Sequence, residues 1–165
     1  MKKLFPLIGA VLMIGCGSLL YYSADYSGGA VWSLLFGSHG ASCWEMYKPL
    51  GLLYLFWILI ELSYLRPSLK RFVCAKAVGM YVLCMAALAA GAALKLYGFI
   101  DTEQIYWAAA AISVPAAQWT GYKLYYSSKK IEWLWIPMLI SIVCMFFMLL
   151  FLSFFPPDNF FFREL

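Results

Sequence analysis

Charge is what this sequence has least of. Only 12% of its 165 residues are charged, against about 25% in a soluble domain, while 65% are hydrophobic and the mean hydropathy is +0.81. So few charged side chains cannot cover the surface of a domain that is surrounded by water. The composition therefore excludes a soluble domain, and the length predicts a single membrane domain covering residues 1–165.

Reactive motifs are scarce as well. The chain has one histidine, His39, and no second one to complete a zinc or haem site. Its five cysteines form no Cys-x-x-Cys pair, which argues against a membrane disulfide oxidoreductase. No nucleophile–base pair, paired carboxylates or phosphate-binding loop is recognisable. We therefore predict no metal, no cofactor and no catalytic residue, and favour a protein that is not an enzyme.

Long apolar runs dominate the chain instead. Five of them lie at about 4–22, 48–65, 72–97, 105–125 and 133–155. A hydrocarbon core of about 30 Å takes about 20 helical residues, and lipid offers backbone groups no partner outside their own helix. We therefore predict an all-α integral membrane protein, a bundle of five transmembrane helices. No internal repeat is visible, so an inverted-repeat transporter is not supported.

Basic residues predict the orientation of this bundle. Nine of the twelve Lys and Arg residues lie at the N-terminus, around the second break between runs and around the fourth. Because cytoplasmic loops carry the excess of Lys and Arg, the N-terminus is predicted in the cytoplasm and the C-terminus outside. We expect a multi-pass protein of the cell inner (plasma) membrane, with the lipid bilayer as a partner. The net charge of +4 is thereby explained without nucleic acid.

The first outer loop contains a short apolar segment at residues 30–36, between glycine-containing breaks. It is too short to span, so we predict a short interfacial helix that would cover whatever opens outward. The alternative is a loop that dips its Trp and Phe side chains into the headgroups.

The stretch that follows carries the first candidate site. Ser42 and Glu45 fit the Ser-x-x-Glu capping box, which would start a helix at Ser42. Trp44 and Lys48 would then share one helix face, and Pro49 would leave the Glu45 carbonyl without its usual donor. Helix capping explains Ser42 and Glu45 completely. The competing prediction is an outward-facing pocket lined by Trp44, Glu45 and Lys48.

Two polar residues inside the runs form the second candidate. Glu61 lies near the inner end of the second run, where an ionisable side chain usually faces the bundle or a partner, and Arg66 and Lys76 are candidate partners. Gln118 lies midway along the fourth run and needs a hydrogen-bond partner. Two interpretations explain both residues equally well: polar contacts that hold the helices together, and a polar internal site. The predicted ligand-binding residues are thus Trp44, Glu45, Lys48, Glu61 and Gln118.

Small residues at four-residue spacing mark the third and fourth runs. Ala109, Ser113, Ala117 and Gly121 form one stripe, and Gly79 belongs to another. Small side chains let helix backbones approach closely in lipid, so these two helices are predicted to pack tightly.

Several short motifs together resemble a family of small bacterial integral membrane proteins classed as a domain of unknown function. They are Ser42-x-Trp44-Glu45-x-x-Lys48, Glu61, Gln118 with Tyr122-Lys123, and Phe155-Pro156-Pro157. The family pattern reads Asn-Glu-Ser-x-Trp-Glu-His-x-Lys, whereas this chain has Gly40, Ala41 and Met46 at the Asn, Glu and His positions. Any chemistry those groups carry would be missing here. The resemblance implies a bacterial membrane protein and supplies no reaction.

These observations favour a non-enzymatic role. The protein would bind a small apolar or amphiphilic ligand, or act as a partner subunit of a membrane complex or a homo-oligomer. The alternatives are an enzyme acting on a lipid or isoprenoid substrate and a transporter component in which Glu61 exchanges a proton. Two or more proton-transfer groups around one cavity would favour the enzyme.

Overall fold

The structure is a computed structural model that describes residues 4–28, 36, 42–65, 67–97, 102–128 and 130–154. All regular structure within these ranges is helical, which confirms the predicted all-α class for the described part of the chain. The helices are α1 (Phe5–Tyr21), α2 (Ser23–Ser27), α3 (Cys43–Leu65), α4 (Leu69–Leu96), α5 (Thr102–Tyr125) and α6 (Trp135–Phe154), with a 3-10 turn (Glu132–Leu134) before α6. The short helix α2 was not predicted.

Three stretches are long and apolar enough to cross a membrane, namely Tyr47–Leu65, Leu69–Ala93 and Glu132–Phe154. The other two long helices fall short for different reasons. With 17 residues, α1 reaches only about 26 Å at 1.5 Å per residue. Helix α5 has 24 residues, but it carries Glu103, Gln118 and Lys123. The apolar helices indicate an association with the membrane.

Helices α3, α4 and α5 begin earlier than the predicted runs, at Cys43, Leu69 and Thr102. The predicted runs start at 48, 72 and 105 because they count only apolar residues, whereas the capping box predicted that the helix of the second run starts earlier, at Ser42. Polar first turns extend each helix beyond its apolar part, as with Glu45 in α3 and Glu103 in α5. The start of α3 also carries the predicted cap, since the Ser42 Oγ accepts a hydrogen bond from the Glu45 N–H at 3.2 Å.

The contact between α4 and α5 is the most extensive in the bundle, as the small-residue stripes predicted. A Cβ atom on Gly79 of α4 would lie 3.0 Å from the carbonyl oxygen of Ala117 and would collide with the Tyr54 hydroxyl. A Cβ on Gly121 of α5 would lie 3.4 Å from the Ala75 carbonyl oxygen. The backbones therefore approach so closely that a side chain at Gly79 has no room, whereas a methyl group at Gly121 would just reach van der Waals contact.

Helix α3 lies in the middle of the bundle and contacts α1, α4 and α6. Its buried face repeats every three or four residues, through Trp44, Tyr47, Tyr54 and Trp57. Helix α6 is different, because Leu149 is its only buried side chain among the residues described. The rest of α6 presents an apolar surface suited to lipid.

Only Phe36 of the predicted interfacial helix at 30–36 belongs to the described part of the chain. It is helical and packs against the buried core. The remaining positions of that prediction lie outside the described residues.

Candidate functional site

A buried ion pair joins α3 to α4. The Lys76 Nζ lies 2.7 Å from the Oε2 of Glu61 and 2.8 Å from its Oε1. Each residue is only 5% exposed. Of the two cations predicted as partners of Glu61, Lys76 is confirmed, whereas Arg66 lies outside the described residues. The two charges cancel, so the pair is neutral as a unit. Their mutual attraction offsets part of the free-energy cost of removing both ions from water.

Hydrogen bonds connect this pair to side chains of α3 and α5 and, through Gln118, to α1. Trp57, one turn before Glu61 on α3, donates its indole N–H to the Glu61 Oε1. Gln118 of α5 accepts a hydrogen bond from the Lys76 Nζ at 3.3 Å, and its Nε2 donates to the Met13 Sδ of α1 at 3.2 Å. The polar partner that Gln118 requires is therefore the ion pair itself. Four helices converge here.

A pocket of about 210 Å³ opens beside the ion pair, and both Glu61 and Lys76 line it. Its other walls come from the start of α1, the connection between α3 and α4, and the end of α5, with Phe5, Pro67 and Tyr122 among them. The pocket thus lies at one end of the bundle. Aromatic and aliphatic walls with a few converging polar groups are typical of small-molecule sites.

Three tyrosines at the end of α5 shape the pocket mouth. The rings of Tyr122 and Tyr126 have centroids 4.7 Å apart, and those of Tyr125 and Tyr126 are 5.0 Å apart. The Tyr125 hydroxyl accepts a hydrogen bond from the backbone N–H of Ser68 at 3.2 Å, which ties the α3–α4 connection to α5. Tyr126 lies just beyond α5, and partial burial there raises the pKa of its hydroxyl. This phenol is therefore neutral at pH 7.

The first predicted site lies at the opposite end of α3. Sixteen residues separate Glu45 from Glu61 in the same helix, which is about 24 Å at 1.5 Å per residue. Glu45 pairs there with Lys48 at 2.9 Å. Trp44 is 2% exposed and Lys48 1%. The five predicted residues thus form two separate groups.

None of Trp44, Glu45 and Lys48 lines the pocket described above. At this end the structure confirms the helix cap, and the outward-facing pocket stays a prediction. The neighbouring His39 lies outside the described residues.

Sequence reasoning missed several residues of this candidate site. Trp57 carries a readable signal, because it stands four residues before Glu61 and so shares its helix face. Tyr125 and Tyr126 adjoin the Tyr122-Lys123 motif and lie in a basic region, but nothing local shows that they line the same pocket as Glu61. Met13 gives no signal at all.

Among the residues that the structure describes, no three His, Cys, Asp or Glu side chains come together as metal ligands. Four cysteines are free thiols, buried at Cys74 and Cys84 and exposed at Cys16 and Cys144. Fold and site together define a helical membrane-type protein whose pocket wall contains a buried ion pair. No family model, curated protein or solved structure matches this chain.

Proposed function

We propose that this protein binds a small amphiphilic molecule in the pocket beside Glu61 and Lys76. One observation carries the proposal: a buried carboxylate and ammonium that pair with each other form part of the wall of a cavity whose other lining residues are mostly aromatic and aliphatic. The polar end of the ligand would contact the ion pair, and its apolar part would lie against Phe5 and the tyrosines.

The energetics of buried ion pairs support a role beyond stability. Apolar residues of similar volume often replace such a pair at no loss, so a buried pair is weak support for a purely structural role. Here the pair also lies against open space rather than inside a filled core. Its position therefore favours recognition.

The ligand hypothesis is tested by extraction of the purified protein followed by mass spectrometry. We expect a lipid-soluble compound that accompanies the wild type and is depleted at least several-fold in Glu61→Gln. The matched control is Glu132→Gln, because Glu132 is exposed on the 3-10 turn, and it should retain the compound. Equal amounts in all three proteins, or none in any, would contradict the proposal.

A second candidate is an enzyme that acts on a lipid or isoprenoid substrate. The same pocket favours it, because Glu61, Lys76 and the Tyr122 phenol are proton-transfer groups around one cavity. The extraction separates the two candidates. A binding protein loses its compound in Glu61→Gln, whereas a disabled enzyme accumulates a different compound, its unconverted substrate.

We further propose that all five long helices cross the membrane, with the N-terminus in the cytoplasm and the C-terminus outside. The pocket would then face the cytoplasmic side of an inner membrane. In a variant without native cysteines, a membrane-impermeant maleimide added from outside should label Asp101→Cys and spare Lys129→Cys. The opposite labelling pattern would reverse the topology.

Two further proposals concern the surface of α6 and the family resemblance. The apolar outer surface of α6 would contact lipid, a second copy or another membrane subunit. Kinship with the bacterial family that the motifs from Ser42 to Pro157 resemble is likewise a proposal, and ligand binding does not depend on it.

A further inference from the structure

The hydrogen-bonding capacity of the ion pair restricts what can bind beside it. A lysine ammonium has three N–H donors. The Lys76 Nζ directs them to Glu61 Oε2 at 2.7 Å, Glu61 Oε1 at 2.8 Å and Gln118 Oε1 at 3.3 Å. All three donors are therefore used, and the ammonium has none left for a ligand.

The carboxylate has capacity to spare. An ionised carboxylate offers about four acceptor positions, two on each oxygen. The Glu61 Oε1 accepts from Trp57 and from Lys76, while its Oε2 accepts from Lys76 alone among the described residues. Within the part of the chain that the structure describes, one acceptor position on Oε2 thus stays open, and Glu61 lines the pocket. A ligand that leaves the pair intact must supply a hydrogen-bond donor.

The charge of the headgroup narrows the class of possible ligands further. An anionic headgroup would find no free donor on Lys76. A cationic headgroup would add a third charge to a neutral buried pair, with no further counter-ion among the described residues that line the pocket, and uncompensated buried charge is strongly unfavourable. An uncharged hydroxyl satisfies the open position without either penalty.

The volume limits the apolar part. A dry apolar cavity of about 150 Å³ takes up benzene, so about 210 Å³ suits a body somewhat larger than one benzene ring. We propose that the ligand is an uncharged alcohol with a compact apolar body, whose hydroxyl donates to the Glu61 Oε2. This inference rests on the proposed ligand-binding function and specifies its chemical class.

Four compounds with one skeleton test the proposal: menthol, menthylamine, p-menthane-3-carboxylic acid and p-menthane. Binding to the full-length protein in lipid nanodiscs is measured by equilibrium dialysis at pH 7, with empty nanodiscs subtracted. We expect menthol to bind at least ten-fold more tightly than the other three, since a hydrogen bond to a charged group is worth about that factor. A double variant, Glu61→Leu with Lys76→Leu, should bind menthol and p-menthane equally.

The possible results test the alcohol assignment and the ligand pocket separately. Binding of p-menthane as tight as that of menthol, or a preference for the amine or the acid, overturns the alcohol assignment and leaves the ligand pocket standing. Binding of none of the four above the empty nanodisc contradicts the ligand pocket itself. Menthol selectivity that persists in the double variant shows that Glu61 is not the acceptor and also overturns the assignment.

Discussion

Removal of one partner from the Glu61–Lys76 pair should destabilise the protein far more than removal of both. Glu61→Gln and Lys76→Met keep the approximate shape of each side chain while deleting its charge. Each single variant leaves an uncompensated ion that is 5% exposed in the native protein. The double variant leaves no buried ion, and its Gln side chain still offers an oxygen to the Trp57 indole.

The expected magnitude follows from the burial. Breaking a buried pair by removing one partner costs about 3–5 kcal/mol, whereas replacing both partners is often nearly neutral. For a chain of this length, 1 kcal/mol shifts Tm by about 2–4 °C. Each single variant should therefore lower Tm by roughly 6–20 °C, and the double variant should lose less than either single variant.

The assay is thermal unfolding of the purified proteins in one detergent at one protein concentration. Lys123→Met and Glu132→Gln are the matched controls, because both residues are exposed and exposed substitutions usually change stability by less than about 0.5 kcal/mol. Two results would refute the reasoning. One is a pair of single variants no less stable than these controls, and the other is a double variant whose loss equals the sum of the two singles.

Three further substitutions test the packing, the cap and the indole bond by the same unfolding assay. Gly79→Ala should lower the free energy of unfolding by about 1–3 kcal/mol, because its Cβ would collide with the Tyr54 hydroxyl. Its control, Gly15→Ala, has no atom within 4 Å of the added Cβ and should be neutral or stabilising. Equal losses of stability in the two variants would contradict the close approach of the helices. Ser42→Ala should cost about 0.5–2 kcal/mol and Ser42→Thr much less, whereas equal costs would argue against a cap. Trp57→Phe should cost at least about 1.5 kcal/mol, since it removes a hydrogen bond to a buried carboxylate; an unchanged Tm would show that the indole bond contributes nothing.

Local features of the sequence account for much of the fold. Apolar runs predicted helices because lipid leaves the backbone no other partner. Ser42 and Glu45 predicted where α3 begins, since a cap depends only on residues three apart. The stripe that contains Gly79 predicted the tight contact of α4 with α5 because the absence of a side chain is itself local information.

The candidate site was only partly predictable, because local features of the sequence do not show which residues meet in space. Glu61, Lys76 and Gln118 could each be recognised alone, as polar groups that an apolar surrounding must satisfy. That they meet in one place depends on contacts spanning 15 and 42 residues of sequence. Trp44 and Lys48 had equally strong local signals, yet they are buried at the far end of α3 and away from the pocket.

Tertiary structure decided the pocket itself. The start of α1, the end of α3 and the end of α5 meet there around Phe5, Glu61 and Tyr122. The contact between Met13 and Gln118 joins residues that are 105 positions apart in the sequence. Helical periodicity determines which face of each helix is apolar or polar. The rotation and depth at which those faces meet depend on the fit of all the helices together, and no single run of the sequence encodes that fit.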